Sequence, residues 1–210
     1  MLSSGSAGAT SIGTNKEKYK LWYSGGEGGE NGVSIFIKYE LAKDVIEIER
    51  FGERMMKVKM VIGKTVYHIF SVYAPQVGRS DNEKAEFWEG LEDKVVGVPR
   101  SERLIGAGDL NGHIGSNQDG YEDVMGYFGF GSQNAEGGTV LNFCRNHQLQ
   151  ILNTYFKKDR EKYIMYKSGE AETQINLILI KKVRGVCVTD YEAIPGEACL
   201  TQHRLVCAAF

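Results

Sequence analysis

Leu104-Ile105-Gly106-Ala107-Gly108-Asp109-Leu110-Asn111-Gly112-His113 is the stretch that decides how this chain folds. A short apolar run ends in Gly-Asp-Leu-Asn, the pattern of a buried strand opening into a loop. In extended backbone, residues two apart point the same way, so Asp109 and Asn111 present a carboxylate and an amide side by side at the strand mouth. Such a pair suits orienting a water while donating to a phosphate oxygen. Asp and Asn also close Asx turns that simply end a strand. Both readings stand on this stretch alone.

Two other strand ends carry polar tips. Ser71-Val72-Tyr73-Ala74-Pro75 stops at proline and leaves Tyr73 at an edge, where its phenol can hydrogen-bond a ligand oxygen or pack as a rim tyrosine. Thr201-Gln202-His203-Arg204-Leu205-Val206 runs from polar to apolar. A histidine at such a mouth can donate to a phosphoryl oxygen as charge develops there, or lie on the surface.

Around these points the chain reads as short strands and two helices. Strands are expected over 19–23, 33–38, 45–51, 55–62, 65–73, 103–108, 149–153, 162–166, 175–181 and 203–210. Lys57-Val58-Lys59-Met60-Val61 alternates as a half-exposed antiparallel strand should. Asp81 and Asn82 offer N-caps to a helix reaching Val96, with Ala85, Trp88, Leu91 and Val95 on one stripe. A second helix is expected over 139–147. The Gly-rich stretch 24–32 reads as a hairpin connection; no Lys-Ser/Thr follows to make it a phosphate loop. Residues 1–17, mostly Ser, Gly, Ala and Thr at first, read as a flexible lead, and 18–210 as one domain. Hairpins followed by helix–strand alternation in two halves predict α/β layers, with sheets packed inside helices.

Composition narrows the function classes. The chain has 210 residues and a net charge of −2, so no basic surface announces nucleic acid, although a local basic groove or a bound metal would still permit it. The four cysteines form no CxxC pair. Cys199, His203 and Cys207 are four apart, roughly 13 Å in a strand, too far to share an ion. A reducing, intracellular setting is expected. No apolar run is long enough for a transmembrane helix, and no membrane partner is expected.

Taken in order, Val72-Tyr73-Ala74-Pro75, Gly108-Asp109-Leu110-Asn111, Gln174-Ile175-Asn176-Leu177-Ile178-Leu179 and Thr201-Gln202-His203-Arg204-Leu205-Val206 resemble the NxYAP, GDxN, QIDYIL and SDHxxV motifs of one superfamily. This is the endonuclease/exonuclease/phosphatase superfamily, metal-dependent phosphodiesterases that include AP endonucleases and deoxyribonuclease I. Leu21-Trp22-Tyr23-Ser24-Gly25-Gly26, Ile151-Leu152-Asn153-Thr154-Tyr155-Phe156 and Ile194-Pro195-Gly196-Glu197 are similar, more narrowly, to the endonuclease domain of RTE-clade (BovB-type) LINE retrotransposons. The resemblance covers residues 18–210.

It implies a four-layered, two-sheet α/β sandwich of the DNase I/AP endonuclease type, with the family's N-terminal strands truncated. It implies that Asp109 orients or deprotonates the attacking water, that Asn111 and Tyr73 hold phosphate oxygens, and that His203 donates to the non-bridging oxygens, with Mg²⁺ as cofactor, DNA as partner and a nuclear location. Three departures bear on activity. Asn176 stands where the family has aspartate, and an amide carries no negative charge. Gln202 replaces the aspartate that orients the histidine, a change RTE-type sequences share. The family's N-terminal glutamate, its main metal ligand, has no counterpart; Glu17 sits in an exposed Lys-Glu-Lys context. The expectation is a retrotransposon-derived endonuclease-like domain with impaired catalysis, weak or absent Mg²⁺ and retained DNA binding. An active Mg²⁺-dependent endonuclease and a protein-interaction module on the same fold are the alternatives.

Overall fold

The computed structural model describes residues 7–13, 18–25, 31–168, 171–182, 188–200 and 203–209. In chain order they form β1 (Gly8–Gly13), β2 (Lys18–Gly25), β3 (Gly32–Lys38), β4 (Val45–Phe51), β5 (Met55–Ile62), β6 (Thr65–Tyr73), α1 (Asp81–Val96), β7 (Arg103–Asp109), α2 (Ala135–Asn146), β8 (Leu149–Ile151), β9 (Tyr166–Ser168), β10 (Ala171–Thr173), β11 (Asn176–Lys181), β12 (Asp190–Leu200) and β13 (His203–Ala209). Three sheets result, ordered β4-β5-β6-β7-β11-β8, β1-β2-β3 and β10-β9-β13-β12.

Alternation along the central strands sorts side chains between two layers. Met55, Phe70, Val72, Leu104, Leu177 and Leu179 point to the helices and form a core with Phe87, Leu91 and Val95 of α1 and Val140, Leu141 and Phe143 of α2. The opposite face is covered in two halves. Met56, Val58 and Met60 pack against Trp22, Val33, Ile35 and Ile37 of the three-stranded sheet. Ile178 and Ile180 pack against Leu152, Met165 and Tyr191, beneath the four-stranded sheet. The expected two-sheet α/β sandwich is therefore present, its second sheet divided into two pieces.

Several boundaries differ from expectation, each for a local reason. Residues 8–13, expected in the flexible lead, form β1, which extends the sheet by pairing Gly8 with Tyr23 through Gly13 with Lys18. The open edge of β2 offers backbone groups that even a Ser/Gly/Ala-rich segment can satisfy. Helix α2 starts at Ala135, not 139, because Asn134 caps it by accepting from the Gly137 N–H at 2.8 Å; Gly137 and Gly138 in its first turn hide the helical signal. Arg160–Lys162 is a 3-10 turn and the strand expected over 162–166 begins at Tyr166. Strand β12 was not foreseen: its pairing with β13 shifts register between Ile194 and Ala198, around Pro195, which cannot donate to a ladder.

Candidate functional site

Tyr73, Asp109 and Asn176 stand abreast on three adjacent strands. Tyr73 is the parallel partner of Asp109 across β6 and β7, and Asn176 is its antiparallel partner across β7 and β11. By strand alternation Asp109 shares a face with Ala107, and Asn176 with Ile178, so both belong to the face that packs on the second layer.

The ladders continue past the strand ends and hold the mouth rigid. Ala74 N–H donates to Asp109 O at 2.8 Å, and Leu110 N–H to Ile175 O at 3.0 Å. Gly108 has φ +153°, and a Cβ there would lie 1.8 Å from Val72 O, so only glycine lets β7 approach β6 this closely. Asn111 adopts a left-handed backbone, φ 48°. Its N–H donates to Asp109 Oδ1 at 2.8 Å, and its Nδ2 to Ala74 O at 2.7 Å. The Asx turn is thus real, and it fixes both polar tips at once: Asp109 by its own turn, Asn111 by a tie to the Tyr73 strand end.

Tyr73 is oriented from outside the sheet. The Arg54 guanidinium lies 5.2 Å from its ring centroid and is itself held by Glu83 at 2.9 Å. Gln76 Nε2 donates to Tyr73 Oη at 3.2 Å, which leaves the phenolic hydrogen to donate elsewhere.

On the far side, Asn153 buttresses Asn176. Fully buried, it donates through Nδ2 to Asn176 O at 3.0 Å and to Tyr191 Oη at 3.1 Å, and accepts from Ile178 N–H at 2.8 Å. Burial pushes the Tyr191 hydroxyl well above the usual phenol range, with the Asn153 amide partly opposing it. Neither Asn153 nor Arg54 stood out as a site residue in the sequence. Asn153 belongs to a quoted motif, but an isolated Asn in an apolar run gives no sign of a triple contact, and Arg54 lies far from Tyr73 in sequence.

His203 begins β13, where it is the partner of Leu200 and of Tyr166. Its side chain, all of Gln202 and Glu17 lie outside the described residues. Of the six residues singled out, the structure brings together Tyr73, Asp109, Asn111 and Asn176.

Mg²⁺ prefers hard oxygen ligands, with one or two carboxylates beside substrate phosphate. Here Asp109 faces the neutral amide of Asn176, and among the described residues no group of three or more His, Cys, Asp and Glu is gathered closely enough to hold a metal. The described donors do not fit a protein-built Mg²⁺ site. A cleft of about 520 Å³ lies on the helix side, between α1 and α2, reaching Ala74, Pro75 and Leu110 beneath the mouth. Its walls carry Asp81, Glu89, Glu92 and Glu136 against Lys84, which pairs with Glu136 at 3.1 Å, and His147, 3.5 Å from Glu92, so carboxylates outnumber cations there and disfavour phosphate. No helix among the described residues is long and apolar enough to cross a membrane.

No family model matches the chain. It is 26% identical over 199 residues to craniofacial development protein 2 of Bos taurus, covering 93% of this chain and 33% of that protein. The chain thus spans about a third of the length of the curated relatives it matches. Its fold superposes on an AP endonuclease from Archaeoglobus fulgidus with TM-score 0.67 and 15% identity, covering 91% of this chain and 79% of that one. It superposes on the endonuclease domain of TRAS1, a telomere-specific non-LTR retrotransposon, with TM-score 0.60 and 11% identity over 90% and 76%. D. rerio TDP2 complexed with single-strand DNA product gives TM-score 0.55 and 10% identity over 84% and 68%.

Proposed function

We propose that this chain, which has the fold of the endonuclease/exonuclease/phosphatase superfamily, is a retrotransposon-type endonuclease-like domain that binds DNA but hydrolyses it poorly. The observation that carries this reading is the pairing of Asp109 with Asn176. A phosphodiester at the strand mouth would meet donors suited to its oxygens, the Tyr73 hydroxyl and the Asn111 amide. It would meet a single carboxylate, Asp109, able to orient a water.

Mg²⁺ in such a mouth would supply Lewis-acid stabilisation of the phosphate, worth several kcal/mol. Without a second carboxylate it is bound weakly, and each 1.36 kcal/mol lost lowers the rate about tenfold. Binding survives this loss because phosphate contacts and hydrogen-bond donors do not require the metal. The DNA bound by D. rerio TDP2 on the same fold supports the partner class.

The test is association of a labelled oligonucleotide in EDTA. This reading expects salt-dependent binding that chelation leaves intact, and absence of binding at low salt would refute it. A second reading, a protein-interaction module on the same fold, draws on the acidic cleft between α1 and α2, which suits a basic peptide.

A further inference from the structure

Tyr127 is 81% exposed, more than any other large hydrophobic side chain among those described. Its backbone is nevertheless clamped. Gly126 N–H donates to Thr154 Oγ1 at 2.8 Å and Phe128 N–H to Thr154 O at 2.9 Å, so one buried threonine holds both neighbours of the exposed ring. Thr154 is fixed in turn, its hydroxyl donating to Ile151 O at 2.8 Å. Just upstream, Val124 and Met125 are buried in the helix-side core, and Val124 O accepts from Ile151 N–H at 2.9 Å. The loop meets this anchor backbone to backbone: a Cβ on Gly126 would lie 2.3 Å from Thr154 O. A rigid loop that holds an aromatic ring in solvent gains nothing in stability from that ring, since exposed apolar surface contributes no burial.

The anchor also locates the ring. Thr154 follows Asn153, whose amide holds the Asn176 carbonyl, and Asn176 is the partner of Asp109. Tyr127 is therefore mounted at the same end of the central sheet as the candidate site, on the β8 side. Three residues beyond Thr154, Lys157 is exposed and has no ion-pair partner among the described residues. An exposed aromatic face and an unpaired cation on segments joined through Thr154 form a combination that takes a base and its phosphate.

We propose that Tyr127 is a stacking platform for an unpaired nucleobase of the DNA strand whose backbone passes the Asp109 mouth, with Lys157 contacting a flanking phosphate. The inference rests on the DNA-binding reading and adds the single-stranded or unstacked character of what is bound. Tyrosine suits the role because its ring has few rotatable bonds to immobilise, and stacking accepts any base.

Fluorescence anisotropy with a labelled oligothymidine single strand, and with a blunt duplex of equal length, at fixed salt in EDTA, tests it. The unsubstituted chain should prefer the single strand. Tyr127→Ala should weaken single-strand binding about tenfold, and Tyr127→Phe, which keeps the ring, should hold it within about twofold. Tyr127→Trp should add emission that the single strand quenches, and Lys157→Ala should lower the salt slope by about one. Strong binding by the unsubstituted chain that Tyr127→Ala leaves unchanged overturns the stacking role and assigns the ring to a protein contact instead. No binding by the unsubstituted chain overturns the DNA-binding reading together with this inference.

Discussion

Asn176 faces Asp109 directly across β7 and β11, so an uncharged amide occupies the position from which a second side chain would share a ligand with the Asp109 carboxylate. Partners in an antiparallel pair sit about 4.5–5.5 Å apart at Cα. Asn176→Asp would place two carboxylates side by side. Like charges directly opposite each other destabilise a sheet. The variant is expected to melt lower than the parent in EDTA and to recover its melting temperature in millimolar Mg²⁺ or Mn²⁺. Thermal scans with and without the ion check this. Nicking should improve little, because one added ligand leaves the rest of the metal's shell unfilled.

Asn153→Leu should unfold the domain at markedly lower urea. The substitution leaves the buried Ile178 N–H without its acceptor and takes the Asn153 amide from Asn176 O and from Tyr191 Oη, whose hydroxyl keeps only weaker partners such as the Met165 sulfur; each unsatisfied buried group costs about 1–3 kcal/mol. A loss near 3 kcal/mol is expected from equilibrium denaturation. A midpoint equal to the parent's would show that these bonds do not brace the mouth.

Gly108→Ala should fail to yield folded protein. The added methyl would meet Val72 O at 1.8 Å, backbone against backbone, at a positive φ. Neither strand can retreat without breaking the β6–β7 ladder that aligns Tyr73 with Asp109. Circular dichroism of the purified variant reads the outcome, and a native spectrum would contradict the close approach.

Glu102 accepts a hydrogen bond from His68, with Lys59 nearby at 3.7 Å, and these partners hold its carboxyl below the usual value of 4.5. A depressed carboxyl adds stability above its unfolded pKa and loses it as pH falls through the folded one. The parent should therefore exceed Glu102→Gln in stability at pH 7, and the gap should narrow below about pH 4.5. Urea midpoints at pH 7 and pH 3.5 check the sign. A gap that widens in acid would reverse it.

The sequence carried the central sheet well because its strands are regular. β5 alternates cleanly, β6 is more continuously apolar as a central strand should be, and Gly-Asp-Leu-Asn marks the end of β7. Tyr73 and Asp109 could be placed at one end because each closes an apolar run, and Asn176 because it opens the antiparallel run Leu177–Ile180. The rest depended on long-range contacts that leave no local mark. β1 forms because β2 has an open edge, not because Gly8–Gly13 has strand propensity. The start of α2 was hidden by two glycines that Asn134 overrides. Asn153 and Arg54 act through partners distant in the chain, and the exposure of Tyr127 has no local signature in a loop rich in Gly, Asn and Asp.

The most direct measurement is nicking of supercoiled plasmid in millimolar Mg²⁺, comparing the unsubstituted chain with Asp109→Ala. Loss of several kcal/mol of metal stabilisation corresponds to rates lower by several orders of magnitude. The account predicts slow conversion by the unsubstituted chain, barely above Asp109→Ala, on DNA that both bind. Rapid Mg²⁺-dependent nicking that disappears in Asp109→Ala would contradict it and make this domain a working endonuclease.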